Sequence, residues 1–199
     1  MLEIAVIDDP AAAGVSLDPM RSRLLAELAE PGSATMLAAK VGLPRQKVNY
    51  HLRELEKYGL VELVEERRKG NVTERLMRAT ASSYVISPGA LEAVQPDPDR
   101  APDRLSARWL LALAARLVRD VGDLIKGADR AGKPVATFGM DGEVRFASAA
   151  DRAAFAEELA TAVASLVSKY HDERSEHGRH HRIVVAIHPI KKPKEQPRG

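Results

Sequence analysis

The chain has no cysteine in its 199 residues, which excludes disulfides, thiolate chemistry and cysteine-ligated metal sites; the simplest setting for such a chain is a reducing cytoplasm. No apolar run approaches the ~20 residues that span a bilayer. The opening Leu2-Glu3-Ile4-Ala5-Val6-Ile7 carries an acid and is too short for a signal peptide, so a soluble cytoplasmic protein with no membrane partner is expected. A strong charge imbalance is also missing: 30 Lys and Arg stand against 28 Asp and Glu, a formal net charge of +2, so any nucleic-acid surface has to come from local clustering. Enzyme signatures are absent as well. There is no Gly-x-Ser-x-Gly elbow, phosphate-cradling loop, dinucleotide fingerprint or His-Glu-x-x-His helix, and neither an enzyme nor a cofactor is expected.

What is present is concentrated between Thr35 and Thr80. In Pro44-Arg45-Gln46-Lys47-Val48-Asn49-Tyr50-His51-Leu52-Arg53-Glu54-Leu55, the residues Val48, Leu52 and Leu55 recur at the four-then-three spacing of one helical face. Gln46, Asn49, Tyr50 and Arg53 fall on the opposite face. Amides, a phenol and a guanidinium are groups able to read base edges in a major groove. Upstream, Leu37, Ala38 and Val41 make a short apolar helix closed by Gly42, and Pro44 suits the first turn of the next helix. A short helix, a tight turn and a longer helix are the marks of a helix-turn-helix.

Beyond Gly59, read as a helix C-cap, Leu60, Val61, Leu63 and Val64 are strand-like, and Thr73 to Ala79 can run back beside them. The polar hairpin between them, Glu65-Glu66-Arg67-Arg68-Lys69-Gly70-Asn71, makes a basic wing, with Arg67, Arg68 and Lys69 over a phosphate backbone. Arg45 and Lys47 join the DNA-binding set; Lys47 and His51 sit off the reading face, where backbone contact or plain exposure is expected.

This region resembles the ArsR-type winged-helix transcriptional regulators. Leu17-Asp18-Pro19-Met20-Arg21-Ser22-Arg23-Leu24-Leu25 is similar to the family's opening "DPxRxxIL" helix, and Val48 to Val61 is similar to its "VSxHLxxLxxxGLV" recognition segment. The likeness covers roughly Ser16 to Ser87. Asn49 stands where a serine is usual, and Met36 to Val41 lacks the thiolate pair of the arsenic and cadmium sensors.

Residues 1–15 are read as a first helix or frayed terminus in preference to an arm that packs on a dimer partner, and Asp18 as the cap of a helix with Met20, Leu24, Leu25 and Leu28 facing inward. From Ser87 to Ser106, Pro88, Pro96, Pro98 and Pro102 interleave with aspartates, which predicts a linker with one helical turn near Ala90 to Ala93. The spacing of Leu105, Trp109, Leu113, Leu117, Val121, Leu124 and Ile125 then predicts a long helix whose stripe is wide enough to pack on its own domain and on a second subunit. The ArsR resemblance likewise implies a dimer seam after the wing. Residues 134–138 and 143–147 flank an Asp-Gly turn and predict a hairpin. Ser148 opens a helix packed through Phe155, Leu159, Val163, Leu166, Val167 and Tyr170, and 182–187 reads as a buried strand.

The predicted fold class is therefore α+β: an N-terminal winged helix-turn-helix (1–87), a Pro/Asp-rich linker (88–104), a long dimerisation helix with a small α-β-β-α-β C-terminal unit (105–190) and a disordered tail (191–199). The expected function is a homodimeric, sequence-specific regulator, a repressor on a pseudo-palindromic operator in double-stranded DNA. Trp109, Phe138, Phe146 and Tyr170 are candidates for lining the pocket of an unknown small-molecule effector, with core packing the simpler account of each. Two alternatives compete. His171, His177, His180, His181 and His188 suggest a metal-responsive protein, although no pair has the helical spacing that converges two imidazoles, and no metal site is assigned. A protein-interaction module that does not read DNA is the other.

Overall fold

A computed structural model of the chain describes residues 1–69, 72–100, 103 and 106–190. Its elements fall into two units, Met1–Ala136 and a second beginning at Thr137. The first unit contains β1 (Leu2–Ile7), α1 (Pro10–Ser16), α2 (Pro19–Glu27), β2 (Gly32–Ser33), α3 (Ala34–Val41), α4 (Arg45–Lys57), β3 (Val61–Lys69), β4 (Val72–Ala79), β5 (Ala81–Ile86), 3-10 turns at Pro88–Val94 and Pro98–Arg100, and α5 (Ala107–Ala131). The second holds α6 (Ala149–Tyr170).

Local sequence sets the helix ends. The Asp18 carboxylate accepts hydrogen bonds from the backbone N–H groups of Met20 and Arg21 at 3.0 and 2.9 Å, which satisfies donors that the first turn leaves unpaired. Ser33 caps α3 through Met36 N–H, and Gly42 ends α3 with φ +72°, a conformation open to a residue without a Cβ. Pro44 precedes the first turn of α4 as its N-cap, one position earlier than expected.

Leu24, Leu28, Val48 and Leu55 are completely buried, and Leu37 and Met77 nearly so. They join α2, α3, α4 and β4 around one core. Each such side chain contributes about 1.5–3 kcal/mol by leaving water. β3 and β4 pair antiparallel, with a register shift between Leu63 and Glu65, and β2 adds to the outer edge of β4.

Several features depart from the sequence expectation. Residues 2–7 are neither helix nor frayed end but strand β1, paired parallel to β5 with Leu2 opposite Ala81 and Ile7 opposite Ile86. A parallel partner needs a long crossover, here the whole of α1 through β4, so no local signal announces it. The segment 88–104 lies inside the first unit. Its 3-10 turns pack on α5, Pro98 is buried, and Arg116 of α5, with only 13% of its side chain exposed, pairs with Asp97 and Asp99.

α5 docks through its small face. Ala112, Ala115 and Gly122 are buried, and Gly122 lies so close to Val6 that an added Cβ would come within 2.9 Å of it. The bulky ridge is only partly covered: Trp109, Leu113, Val121 and Ile125 are half-buried, whereas Leu117 is 43% and Leu124 53% exposed. Leu105, placed on that ridge from sequence, lies outside the described residues, as do the hairpin tip at Gly70 and Asn71 and the expected tail 191–199.

The second unit differs most. The Ser148 hydroxyl caps α6 by accepting from Asp151 N–H, as its spacing predicts, yet no residue of the helix is buried. Phe155 is 39% exposed and leans on Phe146, with ring centroids 5.3 Å apart, while Leu166 is 56% exposed. The expected strands at 134–138, 143–147 and 182–187 form no ladder among the described residues. Alternation fixes which side chains share a face of a strand; a ladder also needs an aligned neighbour, which this unit does not supply from its own described chain.

Candidate nucleic-acid interface

α4 is divided lengthwise. Val48, Leu52 and Leu55 are 0%, 4% and 0% exposed and press it against the core, while Arg45, Gln46, Lys47, Tyr50 and Arg53 face solvent and Asn49 is half-buried beside them. The sequence-predicted reading face is thus brought together on one exposed stripe. Tyr50 packs edge-on against His51, ring centroids 5.6 Å apart; His51 itself is half-buried, and its Nδ1 has no hydrogen-bond partner among the described residues.

α3 packs across α4, and two further contacts brace the approach to it: Lys40 pairs with Glu27 at 2.8 Å, and Arg23 donates to the Lys40 carbonyl at 3.0 Å. The following hairpin is fastened to α4 by a contact that the sequence reading missed. Arg75 of β4 grips the Glu56 carboxylate with both terminal nitrogens at 3.0 and 2.8 Å, and its Nε lies 3.6 Å from Glu66. The hydrogen bond from Arg75 holds the Glu56 carboxyl below the ordinary glutamate range. The only trace in the sequence is opposite charge nineteen residues apart, which is too common to read.

Residues 17–64 match the family model described as a helix-turn-helix domain. The chain carries a helix-turn-helix domain. The matched residues run from the approach to α2 through α3 and α4 to the start of β3, so the exposed face of α4 belongs to this domain, and the match supports a DNA-binding regulator. No curated protein matches the chain.

Beyond the helix-turn-helix domain, the hairpin is less basic than its arginine run suggests. Arg67 is held by Glu65 through two hydrogen bonds of 2.9 Å, which lowers the Glu65 pKa and leaves that pair close to neutral. Arg68 points to solvent beside Thr73 of β4 and has no ion-pair partner among the described residues. Lys69 ends β3 opposite Val72; its side chain lies outside the described set.

The aromatic candidates for an effector pocket do not share one unit. Trp109 stands half-buried on α5 in the first, whereas Phe138 and Tyr170 of the second are 92% and 73% exposed and Phe146 rests on Phe155. Among the described residues no three His, Asp or Glu side chains converge as a metal site would require, and His171 lies 3.4 Å from Glu173 alone. No helix of the described residues is long and apolar enough to cross a membrane.

Proposed function

We propose that the protein is a homodimeric winged helix-turn-helix repressor, of the ArsR-like kind, that reads a pseudo-palindromic operator with one α4 per half-site. The observation that carries this is the split of α4 into a sealed apolar side and an open side bearing Gln46, Tyr50 and Arg53. Gln46 and Asn49 supply amides suited to adenine, and Arg53 supplies the fork suited to guanine. The β3–β4 hairpin serves as the wing: Arg68 lies over phosphate, and the Arg75–Glu56 clamp fixes its angle to α4.

The exposed part of the α5 ridge, Leu117 and Leu124, supports a second subunit, since a 25-residue helix with bulky apolar groups facing water has more to bury than its own unit covers. Two-fold symmetry would place half-sites about 34–36 Å apart. Control by a small molecule requires an effector that favours one dimer geometry over another. Selection of bound duplexes from a random library tests the reading: an inverted repeat is expected, and recovery of unrelated sequences with equal affinity for specific and random duplexes in a gel shift overturns it.

A further inference from the structure

The second unit presents an incomplete architecture. Residues 137–147 alternate apolar and small or polar groups, and 183–187 are a short continuous apolar run, two patterns that strands adopt, yet no backbone hydrogen bond joins either segment to another part of the chain among the described residues. Phe138, Met140 and Val144 in the first segment are 92%, 87% and 60% exposed, and Ile183, Val185 and Ile187 in the second are 62%, 50% and 43% exposed. α6 beside them buries nothing.

We infer that segments 137–147 and 183–187 pair with the same segments of a second copy of the chain, so that the C-terminal unit completes a β-sheet only as a homodimer. The required occupant is a strand, because unpaired N–H and C=O groups along an extended apolar segment are a template for β-pairing. A second copy supplies strands of matching length. It also supplies their number: two short strands are marginal in water, whereas two copies bring four or more, with two α6 helices to cover them.

Charge suits self-association as well. Asp141 and Glu143 outweigh Arg145 in the first segment, while Arg179 and Arg182 make the approach to the second basic, so pairing the first segment of one copy with the second segment of the other sets opposite signs against each other. The inference deepens the dimer proposed above and rests on it, but not on DNA reading.

The test uses the full-length protein without DNA. Sedimentation gives the mass, and hydrogen exchange followed above and below the dimer dissociation constant gives the pairing. The 183–187 amides are expected to exchange about a hundredfold or more slower than unpaired peptide in the dimer, and to lose that protection on dilution. In dimers mixed from isotopically labelled and unlabelled copies, cross-peaks are expected between the two segments of different chains. A dimer whose 183–187 amides exchange freely overturns the inference and leaves the dimer standing; a monomer overturns both. Protection that survives dilution to monomer shows a sheet within one chain and also overturns the inference. Val184→Pro and Val185→Pro remove N–H groups that point to opposite sides of the segment, so at least one is expected to raise the dissociation constant about tenfold or more. Unchanged constants for both overturn the pairing.

Discussion

α4 and α6 are both amphipathic, and α6 is the longer, with Phe155, Leu159, Val163, Leu166 and Val167 along its length. Only α4 buries its stripe. Its three apolar residues meet α2, α3 and the β-hairpin within one unit, whereas α6 has extended segments beside it that never close into a sheet. A helical stripe is therefore a demand for a neighbour, and chain order decides whether the neighbour is at hand. α4 meets the demand within its own unit; in our reading, α6 meets it with another copy.

The widest gap between the two regions is expected from matched core truncations. Leu55→Ala removes a completely buried side chain and is expected to destabilise the first unit by about 2–5 kcal/mol, read as a lower denaturant midpoint at unchanged slope. Leu166→Ala, at a position 56% exposed, is expected to cost the isolated chain less than about 0.5 kcal/mol. Its cost should grow with protein concentration if copies cover that position. Equal effects from the two changes at every concentration would break the comparison.

The exposed faces differ in chemistry as the buried ones do in packing. Arg53→Ala on α4 is expected to reduce discrimination between operator and random duplex by about 1–3 kcal/mol. Arg68→Ala should weaken all duplexes alike and reduce the salt slope by about one. Arg67→Ala should do less than Arg68→Ala, because Glu65 already occupies its guanidinium. Gel-shift titrations across salt separate the three, and an Arg67 effect equal to that of Arg68 would show that DNA displaces Glu65.

Much of the helix-turn-helix domain was legible because its signals are local. The four-three spacing of α4, Gly42 after α3 and the Asp18 cap all act within a turn or two of themselves. β1 was not legible, because its partner β5 lies some eighty positions away and nothing in Leu2–Ile7 names it. The length of α5 could be read from periodicity, but not the side that docks. A reading that weights bulk chose the leucine ridge, while contact with β1 depends on how closely Gly122 lets two backbones approach. The basic run Arg67, Arg68 and Lys69 looked wholly free for the same reason: spacing shows charges and not their partners.

That docking contact gives a matched pair on a single helix. Gly122→Ala places a Cβ within about 3 Å of Val6, and overpacking of this kind typically costs about 1–3 kcal/mol, more than the helix gains from alanine. Gly127→Ala, five residues on, meets nothing within 4 Å and is expected to stabilise by about 0.5–1 kcal/mol. Thermal melts of both variants check the sign. Two stabilising changes would mean that α5 leaves β1 at little cost.

The smallest effect concerns the Asp18 cap, and its sign follows from its partners. The backbone N–H of Arg21, the Arg21 charge and the N–H of Met20 all favour the carboxylate, so the folded pKa lies below the ordinary aspartate value. A depressed pKa adds stability that is complete above the unfolded value and is lost as pH falls through the folded one. Asp18→Ala is expected to cost about 1 kcal/mol near neutral pH, with the difference from the parent shrinking below about pH 4. Asp18→Asn keeps a capping oxygen without a titrating proton. It should retain most of the stability and lose this part of the acid dependence, which urea unfolding at pH 7 and pH 3 can measure. α6 offers the contrast within the same chain. Its cap comes from the Ser148 hydroxyl, which accepts from the Asp151 N–H and donates to the Asp151 carboxylate, so Ser148→Ala removes both bonds and should weaken the helix by about 1 kcal/mol at pH 7.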